Sequence, residues 1–228
     1  MKKEIDVIIL SYAKNDDIIK MNNDCINSII SSTYNYYFNI YLIETNQTNT
    51  YVYEQANVKI IKPNEEFNYN RFINIGLSYC KSEWVLITNN DTIYTENFVE
   101  YMLNANEFDE NLLSMSPMDD TWIKHYQHFN KNTDVYYGYR VSYELTGWSI
   151  FLKRSILNII GNFDEQFSFF YQDDDYAKTL LKYGIKHALV TKSKVTHLLS
   201  KSHNLIDDQN KYNEMTNGMS IKFKNKWG

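Results

Sequence analysis

The chain has 228 residues, 43% hydrophobic and 16% aromatic, enough for one large domain or two small ones with a proper core. Its net charge of -5 and pI of about 5.6 argue against broad, nonspecific nucleic-acid binding, which needs many cations against phosphates, though not against a local basic groove. Cys25 and Cys80 fall inside apolar helical patterns and read as small core residues, no apolar run approaches a membrane span, and Met1-Lys2-Lys3-Glu4 leads straight into a strand, so a cytoplasmic protein is expected.

Ile5 to Leu10 is β-branched and apolar, the pattern of a buried first strand. Ser11-Tyr12-Ala13 opens a loop, and Asn15 or Asp16 can cap a helix whose inner face is Ile18, Ile19, Met21, Cys25, Ile26, Ile29 and Ile30. A second strand spans Asn39 to Ile43 and ends at Glu44. A third spans Val58 to Ile61, closed by Pro63. Asn68 or Asn70 can start a helix through Phe72, Ile73, Leu77 and Tyr79. Then comes Trp84-Val85-Leu86-Ile87, four apolar residues that suit a strand buried on both faces, stopping at the polar turn Asn89-Asn90-Asp91. This alternation predicts a parallel α/β sheet with Ser11, Tyr12, Glu44 and Asp91 at strand C-termini, where such sheets place ligands. There is neither a glycine-rich dinucleotide fingerprint nor a Walker loop, so a cation is expected to neutralise any bound phosphate.

After Asp91, a helix over Glu96 to Ala105 turns Phe98, Val99, Met102 and Leu103 inward, and Leu112 to Met115 makes a short strand. From Pro117 to Tyr143 the chain reads as irregular and aromatic, with Trp122, His125, Tyr126, His128, Phe129, Tyr136, Tyr137, Tyr139 and Tyr143. Such faces suit the C–H surfaces of sugars, or simply pack together. Gly147 to Leu152 reads as a strand, Arg154 to Ile160 as a short helix ended by Gly161, and Ala177, Leu180 and Leu181 as part of a helix stopped at Gly184. Ile185 to Val190 and Val195 to Leu198 read as two further strands, and Asp207 to Lys226 as a loosely packed, Lys-rich helix.

Three features carry chemistry. Asp91 offers a hard oxygen to a divalent cation such as Mn²⁺ or Mg²⁺, and His197, near a strand end, is a plausible second ligand. Asp173, Asp174 and Asp175, beside Tyr171 and a run of Phe, raise one another's pKa, while a helix N-terminus offsets part of the cost. Such a cluster can hold a general base or cap the helix, one or two carboxylates then pointing to solvent. Lys201, His203 and Lys222 could close over a diphosphate, although an ordinary solvated surface is the plainer reading for Lys222.

Together, from Ile5 to about Leu198, these stretches resemble the family-two glycosyltransferases of the GT-A fold. Ser11-Tyr12 resembles the family's nucleotide-binding start, and Glu44 falls where an acidic residue contacts the base. Asn74-Ile75-Gly76-Leu77 is similar to its Asn-x-Gly helix motif, and Asn89-Asn90-Asp91 stands at its Asp-x-Asp motif. Thr146-Gly147 with Phe163-Asp164-Glu165 resembles the acceptor-side segment, Gln172-Asp173-Asp174-Asp175 lies at Glu-Asp-x-Asp, and His197 matches a late histidine that often completes the metal site. Asn89 and Gln172 depart from the pattern, leaving Asp91 as the metal-ligand carboxylate and Asp173 as the expected base, with Asp174 in reserve.

The resemblance implies an α/β fold with a GT-A-like, Rossmann-type mixed sheet and flanking helices in a single domain over residues 1–200. Residues 1–92 would be the nucleotide-binding half, 93–200 the acceptor-binding half and 201–228 a tail. It implies donor binding by Ser11, Tyr12, Glu44, Asn74, Asn89, Asn90 and Asp91, a metal on Asp91 and His197, and an acceptor site with Gly147, Trp148 and Tyr171. The implied reaction is inverting transfer from a nucleoside-diphosphate sugar to a hydroxyl of a glycan, lipid-linked saccharide or protein, or of a modified nucleobase. A sugar nucleotidyltransferase would normally carry a glycine-rich basic loop after the first strand, which Ser11-Tyr12-Ala13-Lys14-Asn15 is not. A non-catalytic carbohydrate- or partner-binding domain is the other alternative.

Overall fold

The structure, a computed structural model, describes residues 2–55, 57–121, 133–198 and 214–228. Strands β1 (Lys3–Ser11), β2 (Tyr36–Glu44), β3 (Val58–Ile61) and β4 (Trp84–Asn89) pair in parallel in the order β3-β2-β1-β4. Helix α1 (Asp16–Ser31) joins β1 to β2, its first turn capped by the Asn15 side chain, and α2 (Tyr69–Tyr79), capped by Asn68, precedes β4. In the second half β8 (Ser149–Lys153) runs antiparallel against β4, so the sheet is mixed. The rest follow as β6 (Leu112–Asp119), β9 (Lys186–His197) and β5 (Thr92–Tyr94), with β7 (Val135–Tyr137) also on β9, nine strands in one sheet.

The period of two in β4 divides the core. Trp84 and Leu86 face α1 and α3 (Phe98–Phe108), packing with Cys25, Ile26, Ile29, Phe98 and Met102. Val85 and Ile87 face α2 and α5 (Gln172–Lys182), packing with Phe72, Ile73, Leu77, Ala177 and Leu180. Both cysteines are free thiols in these cores. Gly76 lets α2 settle on β1: an added Cβ would lie 2.8 Å from Ile8. Gly161 and Gly184 both have positive φ where their helices stop, as expected of C-terminal glycines. No helix among the described residues is long and apolar enough to cross a membrane.

Several expectations need correction. β6 does not end at Met115: it carries Ser116 and Pro117 into the sheet and reaches Asp119, and β7 adds order at 135–137, so the stretch from Pro117 to Tyr143 is not wholly irregular. Pro117 stands at a register shift against β9, the kind of irregularity at which a strand accommodates a residue without an N–H. The two strands expected over 185–198 are one, β9, in which Ser193 is buried despite its polar neighbours. The strand expected from Gly147 starts at Ser149, leaving Gly147 and Trp148 in the preceding turn. Arg154–Ile156 is a 3-10 turn leading into α4 (Leu157–Ile160). The tail is not loose: after a π-turn (Glu214–Gly218), α6 (Met219–Trp227) buries Met219 and pairs Lys226 with Asp164 and Asp175. Trp122, His125, Tyr126, His128, Phe129, Lys201, His203 and the start of the tail at Asp207 lie outside the described residues.

Candidate active site

The site forms where the strand order reverses, between the C-terminal ends of β1 and β4, with Leu10 and Asn89 paired in register. The turn at Asn90 and Asp91 takes the chain from β4, in the sheet centre, into β5, which pairs with β9 so that Thr92 stands opposite His197. That pairing brings His197 Nε2 to 3.3 Å from Asp91 Oδ1, and both side chains are largely buried.

His197 stacks on Trp148, ring centroids 4.9 Å apart. Trp148 is held in turn by its carbonyl, which accepts from the Asn89 amide at 2.9 Å. One residue earlier, Gly147 lies against the base candidate: an added Cβ would sit 2.6 Å from Asp173 Oδ2 and 2.8 Å from Asp173 Cβ. The sequence-distant residues Asp91, His197, Trp148, Gly147 and Asp173 thus form one contiguous series.

Asp173 occupies the first turn of α5. Burial, and then the neighbouring Asp174 carboxylate, push its pKa up to about 6, against a smaller opposing effect of backbone amides. Asp174 is raised by burial and its amide donates to Asp173 Oδ1 at 3.0 Å. Asp175 does not point to solvent: it is buried and accepts from Trp227 Nε1 at 2.7 Å. Tyr171, just before α5, has φ 63, a left-handed conformation strained for a residue with a side chain. The helix is pinned from behind through Tyr176 Oη, 3.0 Å from Ser114 Oγ, which lies 2.8 Å from His187 Nδ1.

At the end of β2 Glu44 is wholly buried and accepts from Ser11 Oγ, Asn49 Nδ2 and the amides of Ala13 and Asn46 at 2.8–3.1 Å. Its carboxylate fixes the loops after β1 and β2. Tyr12 is 51% exposed beside it. Asn74, on α2, reaches the segment before α5. Its side chain bonds the amide and carbonyl of Phe163 and the Glu165 carboxylate at 2.9–3.0 Å, so it holds that segment in place.

Sequence reasoning missed two residues. Asn22, fully buried, donates to Ser11 Oγ at 2.8 Å and to Tyr53 Oη at 2.6 Å, and accepts from Asn90 Nδ2 at 2.7 Å. It ties Ser11, and through it Glu44, to the Asn90 turn. The signal was present: Asn22 lies four residues from both Ile18 and Ile26, a polar residue on an apolar helix face. Tyr69 carries no such signal. Its hydroxyl lies 3.4 Å from the Gly147 carbonyl, and burial, then the charges of Asp173 and Asp91, raise its pKa, so it stands near both carboxylates.

Among the described residues no group of three or more His, Cys, Asp and Glu is placed to hold a metal ion. Asp91 and His197 nevertheless suit two positions of one. Adjacent ligands of an octahedral ion with bonds of ~2.1 Å lie about 3 Å apart, close to the 3.3 Å separation here. His197 Nδ1 is buried with no hydrogen-bond partner among the described residues.

Residues 6–181 match the sequence model of glycosyl transferase family 2. Among solved structures the chain is similar to GalNAc-T7, solved with UDP, GalNAc and Mn2+, at 13% identity and a TM-score of 0.69, over 85% of this chain and 43% of that one. That likeness is one of fold, and this chain spans less than half the length of its neighbour. No curated protein matches the sequence. The mixed sheet is that of a GT-A glycosyltransferase, and, with the family match covering most of its length, the chain belongs to glycosyl transferase family 2.

Proposed function

We propose that this glycosyltransferase moves a sugar from a nucleoside-diphosphate donor to an acceptor hydroxyl with inversion, using Asp173 as general base. The observation that carries the reading is the packing of Gly147 on Asp173 and of Trp148 on His197, beside Asp91. It puts a raised-pKa carboxylate and a metal-type donor pair one residue apart along a single turn. Asp173 takes the acceptor proton as the acceptor oxygen forms its bond to the anomeric carbon. The bond to the diphosphate breaks on the opposite face, and its electron pair leaves with the diphosphate oxygen. A divalent ion, Mn²⁺ or Mg²⁺, held by Asp91 and His197 would supply Lewis-acid stabilisation of that leaving charge. A base with a pKa near 6 is deprotonated at neutral pH yet more basic than an ordinary carboxylate.

In this reading the loops set by Ser11, Glu44, Asn22 and Asn90 receive the nucleotide, with Tyr12 exposed beside them, and residues 1–92 make the donor half. Residues 93–200 contribute the acceptor half, where Gly147, Trp148 and Tyr171 border the incoming hydroxyl. Candidate acceptors are a glycan, a lipid-linked saccharide, a protein or a modified nucleobase. The free, buried thiols of Cys25 and Cys80 suit a reducing compartment such as the cytoplasm.

A panel of nucleoside-diphosphate sugars, incubated with Mn²⁺ or with a chelator, tests the reading. Release of nucleoside diphosphate from at least one donor, lost on chelation and in Asp173→Asn, is expected. The departures at Asn89 and Gln172 favour one second reading, a binding domain without turnover. A donor-dependent rise in melting temperature with no release from any donor would select it.

A further inference from the structure

The family match ends at residue 181, whereas α6 starts at Met219. One face of that helix is nevertheless fastened to the segment from Asp164 to Asp175. Ser168 Oγ lies 3.9 Å from Met219 Sδ, and Lys222 Nζ donates to the Gln166 carbonyl at 3.3 Å. The Phe223 ring lies 5.2 Å from Tyr171 and 6.3 Å from Phe167. Lys226 Nζ bridges Asp164 and Asp175 at 2.7 Å each, and Trp227 Nε1 donates to Asp175 at 2.7 Å. Residues 219, 222, 223 and 226 recur at helical three-and-four spacing, so a single face makes these contacts.

The same segment is gripped by α2. Asn68 Nδ2 donates to the Glu165 carbonyl, Asn70 Nδ2 to that of Asp164 and Asn74 Nδ2 to that of Phe163, at 2.7–2.9 Å. The segment therefore lies between two helices and contains Tyr171, just before α5, whose left-handed backbone persists because its surroundings hold it. Two residues further on is Asp173. We propose that α6 is a positioning element of the acceptor side: Phe223 and Trp227 fix Tyr171 and Asp175, the residues flanking the base, and so hold Asp173 against Gly147. This rests on Asp173 being the base.

The test uses the full chain, with turnover of a donor from the panel above and binding of the nucleoside diphosphate with Mn²⁺ measured separately. Phe223→Ala is expected to lower transfer kcat by about tenfold or more, as small misplacements of reacting groups do. Nucleotide affinity should stay within about twofold, a split that mere loss of folded protein would not give. Phe223→Leu, which refills most of the volume, is expected to recover part of the rate. Trp227→Phe, which removes a single N–H donor, serves if Phe223→Ala does not fold, and is expected to lower kcat by about threefold or more. Parental kcat in the folded variants, or kcat and nucleotide affinity falling together, would overturn the inference. Asp173→Asn, run alongside, separates the two ideas: if it keeps full turnover the base assignment fails, and if it is inactive while the α6 variants are fully active only the positioning role fails.

Discussion

Glu44, at the end of β2, is wholly buried and satisfied by four hydrogen-bond donors, whereas Asp173, in the first turn of α5, shares its turn with two more carboxylates and is pushed up to about 6. Both are acidic residues at the ends of secondary elements, yet one is quenched and the other poised. A carboxylate saturated by hydrogen bonds shapes a pocket. One partly desolvated beside a like charge gains proton affinity and can act on substrate. Backbone strain follows the same division, since Tyr171 precedes Asp173 whereas the donor loops are held by Asn22, Ser11 and Glu44 without a positive φ.

The largest expected effect that sharpens this contrast is on Asp173→Asn: transfer kcat should fall by ~10²–10⁴-fold, with nucleotide affinity unchanged. Steady-state kinetics paired with calorimetric titration of the nucleoside diphosphate checks both halves. Next is Gly147→Ala, whose added Cβ would overlap Asp173 Oδ2 at 2.6 Å. Moving the base by up to an ångström is expected to cost about 10²-fold in kcat, again without loss of nucleotide binding. A donor-side loss in either variant would break the division between the two halves.

Asn22→Ala should behave in the opposite way. It leaves Ser11, Tyr53 and Asn90 short of a buried partner, so urea denaturation is expected to show a loss of about 1–3 kcal/mol. Donor KM should rise while kcat at saturating donor holds. The smallest effect is on stability. Asp173 has an ordinary value of 3.8 when unfolded and about 6 when folded, so between these the native state binds the extra proton. The destabilisation from ionising it is therefore absent below about pH 4 and complete above about pH 6, in the sense set by linkage. A shift of about two units corresponds to ~3 kcal/mol, and screening at a partly exposed group reduces this to about 1 kcal/mol. Asp173→Asn should gain that amount at pH 7.5 and nothing at pH 4, as measured by paired denaturant titrations.

Much of the fold was legible because local chemistry and tertiary packing agree. Trp84 to Ile87 alternates between two cores, Val58 to Ile61 is a strand with the bounds the sequence suggests, and Asn15 and Asn68 cap their helices. Where the readings failed, long-range packing outweighed local signals. The polar run Thr191 to Lys194 stays within β9, Pro117 enters β6 at a register shift, and a polar, Lys-rich tail docks through a few anchors that face carboxylates and aromatic rings far away in sequence. In the site, the motifs singled out Asp91, His197, Gly147, Trp148 and Asp173, and the fold brings these five together. What the motifs did not show is the set of internal partners: Glu44 bonds the loops after β1 and β2, and Asn74 bonds Phe163 and Glu165. Tyr69 gave no local signal, since its neighbours arrive from the turn before β8, from α5 and from the turn after β4.

The most direct measurement is the pH dependence of transfer kcat at saturating donor and acceptor, followed from pH 4.5 to 9 in the wild-type chain and in Asp173→Glu. With Asp173 as the base, activity should be lost as pH falls through about 6, where the carboxylate takes up its proton. The limb should move in Asp173→Glu while nucleotide binding stays flat across it. A limb near 4, or one near 6 that persists unchanged in Asp173→Glu, would contradict the assignment of the proton to this carboxylate.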